Sequence, residues 1–156
     1  MNSELLANSC GIIPSMDADS LEKAAHMEKI IKEFPQIYIT TDHVLHAGVY
    51  TRTIMIPAGV IITGALIKRS VNLIICGHVL VFIGDDKVRE YNGYNTLVAQ
   101  AFRKQVFIAK TDTYLTMFFA TNAKSVDEAE REFTDDVDSL LSRNPSSINN
   151  ITLTGE

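Results

Sequence analysis

The sequence has no tryptophan, only two cysteines among its 156 residues, and no apolar run long enough to span a membrane. The longest apolar stretch, residues 71–83, is interrupted by an asparagine, a glycine and a histidine. Cys10 and Cys76 are far apart and belong to no CxxC motif, which excludes a disulfide scaffold and favours a reducing, cytoplasmic location. The first ten residues lack the basic and apolar regions of a secretory signal, so we expect no membrane association.

The composition is typical of a folded domain, with 46% hydrophobic and 21% charged residues. The net charge of -5 is unevenly distributed. Residues 1–36 carry six acids and three bases, residues 37–122 carry five acids and eight bases, and residues 123–156 carry eight acids and three bases. A middle segment with three excess bases is far less basic than a nucleic-acid-binding surface, so nucleic acid is not an expected partner.

The short motifs of common enzyme classes are also missing. The sequence contains no P-loop, no GxGxxG, no GxSxG and no HExxH. Asp85 and Asp86 form an acidic pair, but they fall in a predicted hairpin turn, where aspartate is favoured for backbone reasons. We therefore assign no catalytic residue, and an enzyme is not the favoured interpretation.

The pattern of apolar residues divides the chain into three segments, 1–35, 36–122 and 123–156. In the first segment, an extended arm precedes a helix that is predicted to begin at Ser20 and to end before Pro35. One face of this helix carries its apolar residues, which are Leu21, Ala24, Met27, Ile31 and Phe34. A helix with such a stripe packs on an apolar surface.

The middle segment consists of short runs rich in β-branched and aromatic residues, separated by Gly, Asp and Asn. They predict strands near 36–41, 44–56, 60–67, 71–76, 78–83, 87–91, 95–98, 103–109 and 113–121. Turns are predicted at 57–59, 76–77, 84–86 and 92–93. Many short strands without intervening helices are typical of a β-sandwich or a small barrel.

The third segment is predicted to begin with a helix capped by Ser125, because Glu128 follows three residues later as in a capping box. Arg143 lies near the expected C-terminal end, where a cation is favoured. The polar tail after Pro145 contains one short β-prone stretch. The predicted apolar stripe of this helix comprises Val126, Ala129, Phe133, Val137, Leu140 and Leu141.

Residues 46–121 resemble the cupin superfamily in their layout. A Pro-x-Gly turn at 57–59 precedes a strand, two apolar strands meet at Gly77, Gly93 begins the segment leading to a second strand pair, and a final strand follows the Asp-Thr pair at 112–113. The pattern YTRT…IPAG…TGAL…G…G…K…DT is similar, more narrowly, to small cupin-like proteins encoded in tailed-bacteriophage genomes. The resemblance implies a mainly β fold, a single small cupin-type β-barrel or jelly roll flanked by an N-terminal and a C-terminal helix.

The chain departs from the metal-binding members of that superfamily. Those proteins present two histidines and a glutamate from a first motif and one histidine from a second. Here the first motif reads GALIKRSVN, in which Ile67 stands where some relatives carry a histidine, and the second motif's histidine position falls on Lys104. The usual four-ligand metal site is therefore missing from the sequence, and no cofactor is expected.

Three histidines are the fallback ligands for a metal: His43, His46 and His78. His43 and His46 are three residues apart, and such residues point to opposite faces of a strand. We therefore favour the interpretation that these are polar histidines at strand ends, and an atypical histidine site remains an alternative.

Two pairs of adjacent cations lie in the two cupin-like motifs: Lys68-Arg69 in the first and Arg103-Lys104 in the second. The two motifs converge on one pocket in cupins, so the resemblance implies that one member of each pair points inward. Together with Asn72 and Gln100, such a pocket can hold a small anion. Otherwise the cations pair with carboxylates from Glu90, Asp112 or the acidic C-terminal segment, and Asp112 is the partner expected for Lys104.

Three functions remain as hypotheses. The first is a non-enzymatic, phage-type cupin-like protein that acts as a structural or protein-interaction module, forms a homo-oligomer and has another phage or host protein as a further partner, in the host cytoplasm or the virion. The second is a binding protein for a small anionic ligand, such as a nucleotide, in a basic barrel pocket. The third is an enzyme with an atypical histidine site. An apolar interior favours the first hypothesis, a basic pocket the second, and a histidine cluster the third.

Overall fold

The computed structural model describes residues 11–156. This part of the chain contains the strands β1 (Ile12–Ile13), β2 (Thr41–His46), β3 (Val49–Ile56), β4 (Ile61–Thr63), β5 (Val71–Gly84), β6 (Lys87–Ala99), β7 (Val106–Ala109), β8 (Thr113–Ala120) and β9 (Asn149–Leu153). Its helices are α1 (Ala18–Ile31) and α2 (Val126–Phe133), and two 3-10 turns follow at Val137–Ser139 and Leu141–Arg143. Neither described helix combines the length and apolar character that a membrane crossing requires.

The long hairpin of β5 and β6 takes part in two sheets and so creates the two layers of the fold. Residues 71–76 of β5 and 94–99 of β6 lie beside β8 and then β3, and we call this layer the front sheet. The other half of the hairpin lies beside β7, which pairs with β4, and we call this layer the back sheet. The front sheet continues from β3 to β2, which is also antiparallel. Two antiparallel sheets that share a long hairpin in this way form a jelly roll, so the predicted mainly β fold is confirmed. The strand order is open and does not close into a continuous ring.

The bend between the two halves of the hairpin lies at Gly77 and Gly93, which face each other across β5 and β6. The sequence predicted tight turns at both places, and this is wrong because each strand continues through its glycine. Gly77 has a φ of 143°, and a Cβ there would lie 2.5 Å from Oγ1 of Thr113. A bend in a strand and a tight turn both favour glycine, because glycine has no Cβ, so the sequence does not distinguish the two. The hairpin turn itself lies at Asp85-Asp86, with φ values of 53° and 54°, as predicted.

Several other strand limits differ from the prediction. The stretch 44–56, predicted as one strand, belongs to a hairpin of β2 and β3, which turns at Ala47 (φ 51°) and Gly48 (φ 71°). Positive φ at both central residues matches the right-handed twist of the flanking strands. The predicted strand 36–41 is irregular up to Thr40, and only three residues of the predicted strand 60–67 form β4.

Both flanking segments contribute a strand to the front sheet. β1 pairs in parallel with β6 at one edge, and β9 pairs in parallel with β2 at the other edge. The β-prone stretch of the tail is thus a strand, whereas the two-residue β1 gave no signal in the sequence. The front sheet therefore begins and ends with elements from outside the middle segment.

The first helix begins earlier than predicted. Asp17 caps it by accepting a hydrogen bond from the Ser20 amide at 2.8 Å, so the first helical residue is Ala18. Ser20 is buried and its Oγ accepts from the Asp85 amide at 2.9 Å, which ties α1 to the hairpin turn. Of the predicted stripe, only Ala24 is fully buried, and Phe34 lies beyond the helix with 64% of its surface exposed.

The second helix is much shorter than predicted. Ser125 caps it as expected, since its Oγ accepts from the Glu128 amide at 3.2 Å. The Glu128 carboxylate accepts from the Lys124 amide at 2.8 Å, one residue before the cap. The helix ends at Phe133, whose carbonyl accepts a hydrogen bond from the Lys68 amide at 2.8 Å. The predicted stripe still reaches the core, because the following 3-10 turns bury Val137 and Leu140.

Candidate functional site

A cavity of about 130 Å³ lies between the two sheets. Ile54, Leu73, Leu115 and Met117 line it from the front sheet, and Ile62 and Phe107 line it from the back sheet. The C-terminal segment closes one side with Phe133, Leu140 and Leu141. Most of the wall is therefore apolar, and the few polar side chains in it decide what it can hold.

Arg52 is a cavity residue whose charge is already neutralised. Its guanidinium donates to Glu130 Oε2 at 2.8 Å and to Ser142 Oγ at 2.9 Å. The Glu130 side chain is only 3% exposed and also receives a hydrogen bond from Arg143 at 2.9 Å. This buried ion pair anchors the C-terminal segment to β3 and gives Arg52 a carboxylate partner.

Arg103 is the second cavity arginine, and it has no such partner. Arg103 is buried, with 2% of its surface exposed. It forms no ion pair with any carboxylate among residues 11–156. Its Nη1 donates to the carbonyl of Gln100 at 2.6 Å, and its Nε donates to Oε1 of Gln105 at 3.3 Å. Burial lowers the pKa of the guanidinium to about 10, so the group still carries its charge at neutral pH. The cavity therefore contains an uncompensated positive charge.

Gln105 supplies a second unused donor beside Arg103. The residue is 5% exposed, and while its Oε1 accepts from Arg103, its amide Nε2 has no hydrogen-bond partner in the described part of the chain. A buried amide without a partner is costly, so its presence calls for a physical reason. The guanidinium and the amide together form a donor pair on the cavity wall.

The backbone before this donor pair is strained in a way that aims Arg103 inward. Phe102 has a φ of 59°, a conformation that costs a non-glycine residue roughly 1–2 kcal/mol. Two backbone hydrogen bonds hold it there, from its own amide to Ile67 at 2.7 Å and from the Met16 amide to its carbonyl at 2.8 Å. The Phe102 side chain is exposed, and the next residue, Arg103, is buried. Arg103 is then fixed by a β-bridge to Ile67.

The structure does not bring one member of each predicted cation pair into a common pocket. Lys68 pairs with Asp135 at 2.5 Å, Arg69 pairs with Glu132 at 3.2 Å, and Lys104 pairs with Glu28 at 2.7 Å. The guanidinium of Arg69 also lies 4.2 Å from the ring centroid of Phe119. Of these four cations, only Arg103 lines the cavity.

Three other expectations about this pocket also differ from the structure. Asp112 does not pair with Lys104, because its carboxylate caps the turn by accepting from the Ala58 amide at 2.9 Å. Asn72 and Gln100 are both exposed, and Gln100 accepts a hydrogen bond from the Ser15 amide at 3.2 Å. The residue that the sequence analysis missed is Gln105. It follows Arg103 by two positions, so the alternation of an extended chain would have placed both on one face.

The histidines lie apart from one another. His46 is exposed and contacts Thr154 at 2.8 Å, and His78 contacts Glu90 on the outside of the hairpin. His43 is buried, on the opposite face of β2 from His46. No group of three or more histidine, cysteine or acidic side chains within residues 11–156 is arranged to hold a metal ion.

His43 belongs to a buried polar network between β2, β3 and β9. Its Nε2 lies 2.7 Å from Oδ1 of Asn149, and its Nδ1 lies 2.7 Å from the Tyr50 hydroxyl. The amide nitrogen of Asn149 donates to the Ser142 carbonyl at 2.9 Å, which fixes its oxygen toward the histidine. His43 therefore donates through Nε2 and accepts from Tyr50 at Nδ1, as a neutral imidazole does. Burial lowers its pKa, which agrees with the neutral form.

No protein-family model matches the sequence, and no curated protein matches it. Among solved structures, the chain is similar to a cupin-2 domain protein from Shewanella frigidimarina (TM-score 0.43, 8% identity, 60% of this chain and 91% of that one). It is also similar to an RmlC-like cupin family protein with a double-stranded β-helix fold from Methanocaldococcus jannaschii (TM-score 0.44, 15% identity, 56% and 92%). A third is a cupin superfamily protein from Desulfitobacterium hafniense (TM-score 0.43, 10% identity, 60% and 88%). The assignment of the fold rests on the strand topology given above.

Proposed function

We propose that the chain is a non-enzymatic binding protein that holds a small monocarboxylate with a short apolar body between its two sheets. The observation that carries the proposal is the buried guanidinium of Arg103, which has no carboxylate partner in the described residues. Buried charges in proteins are ordinarily paired, because desolvation without a counter-charge is expensive. A bound carboxylate supplies that counter-charge.

The charge of the site favours a monoanion over a phosphate or a nucleotide. Among the described residues that line the cavity, Arg103 is the one cation without a carboxylate partner, since Arg52 pairs with Glu130. The Gln105 amide adds one neutral donor. A phosphoryl group carries more charge and needs more donors than this pair offers. A carboxylate accepts hydrogen bonds at two oxygens, which suits the guanidinium and the amide.

The size and the lining of the cavity define the rest of the ligand. Its volume is about 130 Å³, and an apolar cavity of roughly 150 Å³ holds one benzene molecule, which has six heavy atoms. The remaining wall is formed by aliphatic and aromatic side chains such as Leu73, Leu115 and Phe107. A carboxylate with a chain of about four carbons fits both the volume and the apolar wall. Butyrate is therefore the probe that we choose.

The test compares butyrate with its uncharged analogue butyramide in thermal unfolding of the full chain. Ligand present at about 100 times its dissociation constant stabilises a protein by about 2.7 kcal/mol. For a chain of this size that corresponds to a rise in Tm of roughly 5–10 °C. We expect this rise with butyrate and little change with butyramide, because the amide cannot neutralise Arg103.

The matched variants are Arg103→Met and Lys110→Met. Both remove one positive charge, but Lys110 is exposed and lies on the outside of the hairpin near Glu90. The response to butyrate should disappear in Arg103→Met and persist in Lys110→Met. An equal response of the two variants, or an equal effect of butyramide on the parent, contradicts the proposal.

The structural or interaction role that the sequence also suggests rests on missing metal ligands. Ligand binding is supported by a positive observation, the buried Arg103 without a carboxylate partner in the described residues. The histidine hypothesis receives no comparable support, since His43 is already satisfied by Tyr50 and Asn149.

A further inference from the structure

The outward face of the front sheet carries no charge on four adjacent strands, and most of its large side chains are apolar or aromatic. Three rows of side chains cross it, and their register is fixed by the strand pairing. We call this surface the outer face; its residues are Val98, Thr96 and Tyr94 on β6, Asn72, Ile74 and Cys76 on β5, Phe118, Thr116 and Tyr114 on β8, and Thr51, Thr53 and Met55 on β3.

Large apolar side chains on the outer face are open to solvent. Tyr94 is 68% exposed, Tyr114 is 52% exposed and Val98 is 47% exposed, and Cys76 is also exposed. A contiguous exposed patch of this kind marks an interaction surface more often than single exposed apolar residues do. Its aromatic and β-branched composition is the one found on the inner faces of packed sheets.

The absence of charge says what kind of partner this surface fits. Charged residues make up 21% of the sequence, yet none occupies the twelve positions of the outer face. The first charge along the rows is Asp42 on β2, which already accepts a hydrogen bond from Asn150 on β9 at 2.8 Å. In a two-fold contact, a face meets its own copy, so any charge near the axis meets a like charge. An uncharged face avoids that repulsion between chains of net charge -5.

The extent of the surface is close to what a stable dimer needs. Adjacent strands lie about 4.8 Å apart and successive outward residues about 6.8 Å apart, so six strands and three rows cover roughly 600 Å² in plan. This count includes β2 and β9, which continue the sheet beyond β3 as a polar rim. This area exceeds the roughly 500 Å² per partner that a specific interface should bury.

We propose that the outer face binds a second copy of this chain, face to face, in a two-fold symmetric dimer. The two front sheets then pack like the layers of a β-sandwich, with Thr116 near the centre and the β2–β9 rim at the periphery. This proposal does not depend on the ligand site, because the cavity residues lie on the opposite face of the same strands.

The first test introduces a charge at the centre of the outer face. In light scattering across about 1–500 µM, the parent chain should be a dimer at the upper end of the range, and Thr116→Lys should be a monomer. The control is Val88→Lys, since Val88 is 59% exposed and lies in the back-sheet half of β6, outside the outer face. The control should dimerise like the parent. A monomeric parent, or a Thr116→Lys variant that dimerises as well as the parent, overturns the proposal.

A second measurement needs no variant in the interface and decides the matter if Thr116→Lys fails to fold. In a Cys10→Ser background, the rate at which a maleimide labels Cys76 reports directly on the outer face. We expect labelling to slow at least tenfold as the protein concentration rises through the dimer range. A rate that is fast at every concentration overturns the proposal, because nothing then covers the face. A slow rate in a chain that light scattering shows to be a monomer also overturns it, because another part of the same chain then covers the face.

Discussion

Arg103 has a positive charge buried between two sheets and no carboxylate to balance it among the described residues. Two other cations from the same pair of motifs show the ordinary solution, since Lys104 reaches Glu28 at 2.7 Å and Arg69 reaches Glu132 at 3.2 Å. A buried arginine held only by carbonyls and one amide destabilises the free protein relative to an apolar residue. Groups kept in such an unfavourable state are common at binding sites, where a ligand completes them.

His43 is the residue from which we predict a pH dependence of stability. Burial lowers its pKa in the folded chain below the usual 6.5, so the unfolded chain binds more protons below that pH. The stabilisation that neutral His43 gives to the folded chain is therefore complete above about pH 6.5. It is lost as the pH falls through 6.5 toward the lower pKa of His43 in the folded chain. Between pH 7 and pH 5 we expect the free energy of unfolding to fall by up to about 2 kcal/mol.

Denaturant unfolding at pH 7 and pH 5 measures this loss in the parent, in His43→Gln and in His26→Gln. A glutamine side chain does not titrate, so the loss should shrink in His43→Gln, whereas exposed His26 provides the matched control. The interval excludes the range below about pH 4.5, where carboxylates with lowered pKa values, such as Glu28, begin to contribute. A pH dependence that is the same in all three proteins contradicts the assignment.

At the scale of elements, the C-terminal segment depends on one aromatic anchor. Phe133 is 1% exposed, stacks on Tyr50 with ring centroids 6.4 Å apart, and meets Phe119 edge-on at 6.1 Å. Truncation of a buried phenylalanine costs about 3–5 kcal/mol. Phe133→Ala should therefore lower Tm by roughly 10 °C or more.

The matched control for this variant is Phe34→Ala, which removes an aromatic ring that is 64% exposed just beyond α1. Its Tm should stay near that of the parent. Calorimetry of the three proteins makes the comparison. If Phe133→Ala unfolds at the parent temperature, α2 is not held to the sheets by its aromatic residue.

The same elements show what the sequence could predict. The place of Phe133 on the apolar stripe and the cap at Ser125 could be predicted, because they depend on residue spacing within one turn or two. The end of α2 at Phe133 was not visible, since it depends on a hydrogen bond from Lys68, which is distant in sequence. The pairing of Lys104 with Glu28 was missed for the same reason, because it requires α1 to lie against β4.

At the scale of the whole molecule, the jelly roll is built from strands whose approximate positions in the chain could be predicted. The sequence shows where the glycines of the middle segment lie, but it does not show their structural role. Gly77 and Gly93 bend strands rather than end them. The fold thereby places two faces back to back on the front sheet. The inner face borders a cavity with an unpaired arginine, and the outer face is free of charge.

The central claim is that Arg103 binds a carboxylate between the sheets, and a crystal structure of the chain grown with butyrate tests it most directly. We predict one butyrate in the cavity, with its carboxylate oxygens within about 3 Å of the Arg103 guanidinium and the Gln105 amide. Its alkyl chain should contact Leu73 and Leu115. A cavity without butyrate when the ligand is saturating, or butyrate bound with its carboxylate away from Arg103, would contradict the claim.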